Sequence, residues 1–143
     1  MKSCVLIVIL VITMSVHLEA KVAGRQRVLR NVATGLCLSL SDEDESLKSV
    51  ICSRINEQRW VITQDTKLIS VASEECVTSS DDGTVTTSEC TRDSNQKWTF
   101  KNGQVKNEAT GKCLDTDSNY NVVGAACLNA DYQKWYISFA DTK

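Results

Sequence analysis

The pattern of apolar and polar positions divides the chain into one leading apolar block and a long tract of short alternating segments. The block runs Val5-Leu6-Ile7-Val8-Ile9-Leu10-Val11-Ile12 behind Met1 and Lys2, and polar residues then lead to Leu18-Glu19-Ala20. A basic start, an apolar middle and a small-residue exit make a secretory signal, so residues 1–20 are expected to be removed, with cleavage after Gly24 as the alternative. An uncleaved anchor is the competing reading. The apolar stretch from Cys4 to Val16, broken by Thr13 and Ser15, is short for a bilayer span, which takes ~20 residues.

Downstream, segments of four to seven residues are rich in Val, Ile, Thr and Ser and are bounded by turn chemistry, the pattern of strands rather than helices. Strands are predicted over 27–31, 37–41, 48–52 and 59–63; over 67–71, 76–80, 84–90 and 97–101; and over 104–108, 113–116, 122–127 and 134–138. Thr34-Gly35, Asp82-Gly83, Asn102-Gly103 and Thr110-Gly111 mark turns between them.

These segments repeat. Cysteines fall at 37/52, 76/90 and 113/127, and eight residues after each second cysteine comes a tryptophan: Trp60, Trp98 and Trp135. Each ends a Gln-x-Trp triplet, Gln58-Arg59-Trp60, Gln96-Lys97-Trp98 and Gln133-Lys134-Trp135, at spacings of 38 and 37 residues. A four-stranded unit of this size cannot bury its own apolar face, so three must close around a shared axis, each giving its tryptophan and flanking aliphatics to one core. The predicted fold is therefore all-β, a β-trefoil of twelve strands over residues 25–140. Pairing cysteines within each unit selects one of the fifteen possible connectivities: Cys37 with Cys52, Cys76 with Cys90, and Cys113 with Cys127. Loops of about 15 residues each contribute roughly 3 kcal/mol in the chain-entropy model, which matters for a core with few aromatics.

Composition narrows the chemistry. With 16 Lys+Arg against 18 Asp+Glu the net charge is -2, so there is no basic surplus for a nucleic-acid partner. Apolar residues at 42% and charged residues at 24% exclude disorder. Removing the signal takes away Cys4 and His17, leaving six of the seven cysteines and no histidine. In an oxidising compartment six cysteines read as three disulfides. Without histidine or a free thiol, Ser-His-Asp and Cys-His catalysis and the usual zinc ligands are gone, and no paired-carboxylate pattern replaces them. The expectation is a secreted, extracellular protein that is not an enzyme, needs no cofactor or metal, and does not insert in membranes once the signal is removed.

The three Gln-x-Trp units, with Thr34-Gly35-Leu36-Cys37-Leu38 and Thr110-Gly111-Lys112-Cys113-Leu114-Asp115 opening two of them, resemble the ricin-B-type lectin family over residues 27–138. Arg59-Trp60-Val61, Ile69-Ser70-Val71 and Gln96-Lys97-Trp98 are also similar to the cysteine-rich domain of mannose-receptor-type proteins. The resemblance implies a sugar pocket in each lobe. A carboxylate two residues after the first cysteine would accept from adjacent hydroxyls, a ring two before the second cysteine would stack on the sugar's apolar face, and an Asn-Gln pair would lead into the tryptophan.

No lobe matches in full. The first holds Ser39, Val50 and Glu57-Gln58 at those positions and is expected to be silent. The second keeps Asn95-Gln96 but has Thr78 and Ser88 for the acid and the ring, so it is expected to be silent or weak. The third keeps Asp115 and Gln133, has Ala125 for the ring, and carries Tyr132 where the others have Glu57 and Asn95. Tyr120, in the hairpin between Asp115 and Cys127, and Tyr132 are alternative platforms. By the mannose-receptor likeness Tyr132 falls where a stacking tryptophan stands, which favours N-acetylgalactosamine-type or sulfated ligands over plain galactose.

Plainer roles compete. The three glutamines can satisfy loop backbone, Asp115 can cap a turn with Asn119, and Asp42-Glu43-Asp44-Glu45 reads as a solvated hairpin tip, with a cation site as the minor reading. The expected function is recognition of galactose or N-acetylgalactosamine type glycans or glycoproteins, mainly through the third lobe. The alternative is a trefoil that binds a protein partner as an inhibitor, toxin-like or cytokine-like protein, with sugar binding lost. Oligomeric state is left open.

Overall fold

Each third of the chain contributes four strands to the computed structural model, which describes residues 22–141. The expected signal, with Cys4 and His17, lies outside the described residues. The first lobe has β1 (Gln26–Asn31), β2 (Cys37–Leu40), β3 (Leu47–Val50) and β4 (Trp60–Ile62). The second has β5 (Leu68–Ser70), β6 (Cys76–Ser79), β7 (Val85–Ser88) and β8 (Trp98–Lys101). The third has β9 (Gln104–Asn107), β10 (Cys113–Thr116), β11 (Val122–Ala125) and β12 (Trp135–Phe139). These twelve strands among the described residues make the all-β trefoil the repeats predict.

The first and last strands of each lobe form a closed barrel. Antiparallel ladders join β1 to β4, β4 to β5, β8 to β9 and β12 to β1. The remaining junctions close through the Trp98 N–H on the Thr66 carbonyl at 3.0 Å and the Trp135 N–H on the Gly103 carbonyl at 2.8 Å. The middle strands pair as hairpins, β2 with β3, β6 with β7 and β10 with β11. The hairpins meet at one end, where Ser46 bridges Thr86, Lys48 bridges Asn121, and the Gly124 N–H donates to Gly83 at 2.8 Å.

The core is built from repeated positions: Leu29, Leu68 and Val105; Leu38, Val77 and Leu114; Leu47, Val85 and Val122; and the three tryptophans. Strand alternation turns these side chains inward, and in the second strand of each lobe the preceding cysteine is buried as well. Each indole N–H donates to a carbonyl of its own lobe's second strand, Trp60 to Leu38 at 3.1 Å, Trp98 to Val77 at 3.0 Å and Trp135 to Leu114 at 3.2 Å, so burying the ring strands no polar group. The disulfides are the three intra-lobe pairs.

Strand boundaries differ from expectation on either side of the second cysteine of each lobe. β3 ends at Val50, opposite Cys37, and to bring Cys52 within 5.0 Å of Cys37 between Cα atoms the chain must leave the ladder. It then forms 3-10 turns over Asn56–Gln58, Ser94–Gln96 and Asp131–Gln133, so that Arg59, Lys97 and Lys134 close a turn instead of opening a strand.

One buried position in the hairpin cap is imperfect. Ser49 and Thr87 occupy equivalent places in the hairpin cap, and Ser49 Oγ is within 2.9 Å of Thr116 Oγ1. The Thr87 hydroxyl, equally buried, meets no protein partner. Thr87→Val keeps the shape and removes the orphaned group, and is expected to stabilise the fold by about 1 kcal/mol. Denaturant unfolding measures this; a lowered midpoint would mean that the hydroxyl is satisfied.

Candidate functional site

After each second cysteine the chain folds back over a buried glutamine. Its Oε1 accepts the N–H one residue past the cysteine, from Ser53, Thr91 and Leu128, each at 2.7 Å. Its Nε2 donates to the carbonyl just before the cysteine, Ile51 at 2.9 Å, Glu89 at 2.8 Å and Ala126 at 2.9 Å. Gln58, Gln96 and Gln133 therefore satisfy loop backbone in every lobe.

The lobes differ in what else the amide meets. In the second lobe Gln96 Nε2 also lies 3.0 Å from Thr78 Oγ1 and 3.1 Å from Ser88 Oγ, and those two hydroxyls stand 2.6 Å apart. The acid and ring positions there are filled by hydroxyls closed on one another. Adjacent Asn95 gives its carbonyl to Asn107 Nδ2 at 2.8 Å, while its own Oδ1 is buried without a protein partner. In the first lobe Ser39 is buried and carries no charge. In the third lobe Gln133 Nε2 donates to Asp115 Oδ2 at 2.9 Å. A carboxylate held through one oxygen retains acceptor capacity on both.

Asp115 lies within the β10–β11 ladder, opposite Val123, and does not cap the hairpin turn. That role falls to Asp117, whose Oδ1 accepts the Asn119 N–H at 2.8 Å and the Asn121 N–H at 3.0 Å. The turn ends in Tyr120, whose left-handed φ of 62° turns the chain back, and its carbonyl accepts the Ser49 N–H at 2.8 Å.

Tyr120 and Tyr132 are 54% and 55% exposed, and both residues line one pocket of about 500 Å³ with Ala33, Thr34, Leu36, Asp117 and Ser118. The structure thus joins Asp115 to Gln133, and Tyr120 to Tyr132. Asp115 and Gln133 do not line the tyrosine pocket, and Asn95 and Gln96 belong to another lobe.

Sequence reasoning passed over the residues that join the lobes. Buried Asn31 donates through Nδ2 to the Tyr132 carbonyl at 2.8 Å, and Asn107 does the same to Asn95. Their Oδ1 atoms accept the Thr34 and Thr110 N–H groups at 3.1 and 3.0 Å. The signal was available as Asn-x-x-Thr-Gly at 31–35 and 107–111. In the second lobe the motif becomes Ser70-Val71-Ala72-Ser73-Glu74, and Ser70 Oγ accepts only the local Ser73 N–H, at 3.2 Å.

The acidic tip Asp42 to Glu45 is exposed. The hydroxyl of Ser46, followed by its N–H, holds the Asp44 carboxyl below the usual carboxylate range. No group of three potential metal ligands forms among the described residues.

The model of the ricin-type beta-trefoil lectin domain family matches residues 25–135. Among solved structures the chain is similar to the β-trefoil lectin of the Vibrio vulnificus hemolysin/cytolysin, solved with N-acetyl-D-lactosamine bound, at 22% identity and a TM-score of 0.74 over 85% of this chain and 99% of that one. It is also similar to the designed threefold-symmetric protein ThreeFoil, at 19% identity and a TM-score of 0.68 over 78% of this chain and 96% of that one. A third likeness is to a non-toxic homologue of type II RIPs from Momordica charantia (bitter gourd), in complex with α-methyl-D-galactoside, at 20% identity and a TM-score of 0.70 over 78% of this chain and 47% of that one. At these identities the likeness is one of fold. No curated protein matches the chain by sequence.

Proposed function

Because the chain belongs to the ricin-type β-trefoil lectin domain family, we propose that it is a secreted glycan-binding protein that takes galactose or N-acetylgalactosamine type ligands, sulfated forms among them, through its third lobe. One observation carries the choice of lobe. Of the three equivalent positions only Asp115 is a carboxylate, and Gln133 orients it from beneath at 2.9 Å. A carboxylate fixed before the ligand arrives loses little freedom on accepting two adjacent sugar hydroxyls.

Tyr132, in the same 3-10 turn as Gln133, supplies the ring for the sugar's C–H face, and Tyr120 extends the platform toward the next residue of a longer glycan. The tyrosine pocket borders the first lobe's β1–β2 turn, so the ligand runs across a lobe boundary. The first and second lobes, lacking a carboxylate at that position, hold no equivalent sugar site of their own. Three disulfides and the signal-like leader support an extracellular location. The chain acts by recognition and not by catalysis.

A glycan array on the secreted protein, followed by titration with the best ligand, tests this. Asp115→Ala is expected to weaken binding at least ~tenfold, about 1.4 kcal/mol, and Asp115→Ala combined with Tyr132→Ala to abolish it. Binding unchanged in that pair would remove both residues from the site. A wild-type protein that binds no glycan would leave the protein-binding trefoil as the better reading.

A further inference from the structure

The first lobe carries a second opening, of about 290 Å³, between β1, the end of β12 and the loop that leaves β3. Arg30, Arg54 and Arg59 line it, with Ser53 and Ser138 beside them, and Asp141 is the one carboxylate in the lining. Among the described residues the ion pairs are Lys67 with Asp65 and Lys134 with Asp131, so none of these guanidinium groups has a carboxylate within 4.0 Å.

Arg30 and Arg59 are held in place, while Arg54 reaches in from the exposed loop. Arg30 stands on β1 between Cys37 and Tyr136, and its Nε donates to the Gly35 carbonyl at 2.8 Å. A side chain at Gly35 would come within 3.3 Å of Arg30 Nη2, so glycine there makes room for the fork. Arg59 Nη1 reaches Gln26 Oε1 at 3.4 Å. At the rim, Arg25 and Arg27 lie 3.5 and 3.8 Å from the ring centroid of Phe139, itself part of the lining. Five of the six arginines thus gather on this side of a chain whose net charge is -2, so the positive field is local.

Three guanidinium groups converging on one unpaired carboxylate leave a local excess of positive charge, and an anion that enters relieves their repulsion while accepting several charge-assisted hydrogen bonds. Forks arriving from three chain segments suit a group with three peripheral oxygens better than the two of a carboxylate. The opening also leaves room for what carries that group. We propose that this pocket binds a sulfate or phosphate monoester. The site shares no residue with the third-lobe sugar site.

The test is amide-resolved NMR titration of the full disulfide-bonded protein with sodium sulfate, sodium phosphate, glucose 6-sulfate and glucose 6-phosphate, ionic strength being held constant with sodium chloride. Saturable shifts confined to residues 28–30, 52–54, 59 and 138–141 are expected, weakened at least ~tenfold in Arg54→Ala with Arg59→Ala and unchanged in Asp115→Ala. Tighter binding of one ester than the other assigns sulfate or phosphate. Absence of saturable shifts with all four probes, or equal binding by the double variant, overturns the proposal. Should the double variant fail to fold, Arg54→Ala alone, at an exposed position, decides: undiminished binding overturns the site. Because Asp115→Ala is a separate arm, loss of the lectin reading would not remove this site, nor the reverse.

Discussion

Full reduction of the protein is expected to unfold it at physiological temperature. Each bridge closes a short loop, with sequence separations of 15, 14 and 14 residues. At roughly 3 kcal/mol per loop of this size the three together contribute about 9 kcal/mol, comparable with the whole stability of about 5–15 kcal/mol typical of a domain. The hydrophobic core is built from aliphatics and one tryptophan per lobe, which leaves little to offset the loss. Circular dichroism during thermal unfolding, with and without reductant, measures the effect. A reduced protein whose midpoint falls by only a few degrees would contradict it. Cys113→Ser with Cys127→Ser should cost about 3 kcal/mol and also disturb the site, since Cys113 precedes Asp115 by two residues and Cys127 precedes Leu128, whose N–H Gln133 holds.

Trp98→Ala is expected to cost about 3–5 kcal/mol, and Trp60→Ala and Trp135→Ala the same to within about 1 kcal/mol. All three rings are buried, and each indole donates to an equivalent carbonyl. Truncation leaves a cavity in the shared core and orphans that carbonyl at once. Urea unfolding of the three variants provides the comparison; a cost below about 1 kcal/mol at any one position would show that the thirds do not share the core equally. Trp135→Ala should additionally weaken sugar binding while still folded, because the Leu114 carbonyl it holds adjoins Asp115.

The trefoil was readable because cysteine, glutamine and tryptophan recur at fixed offsets, and each recurrence has one physical role, bridge, loop clamp or core ring, that no helical arrangement would need three times over. The 3-10 turns were not readable. They span three residues, too short for a periodic signal, and their shape comes from the glutamine folding back on the loop. Asp115 and Asp117 show a second limit: both suit a turn cap by residue type, and only the register, Asp115 opposite Val123, separates the ladder residue from the turn residue. Proximity across lobes was hidden altogether. Tyr132 and Thr34, or Arg54 and Asp141, become neighbours because β12 closes on β1, a contact between the two ends of the repeat series that no local pattern records.

Asn31, from the opening strand, fastens the carbonyl of Tyr132, 101 residues further along. The third lobe's recognition turn is therefore completed by the first lobe, and its shape does not reside within its own stretch of sequence. An excised third lobe, or that lobe grafted onto another scaffold, would arrive without the staple that forms it. The smallest portable recognition unit is the closed ring.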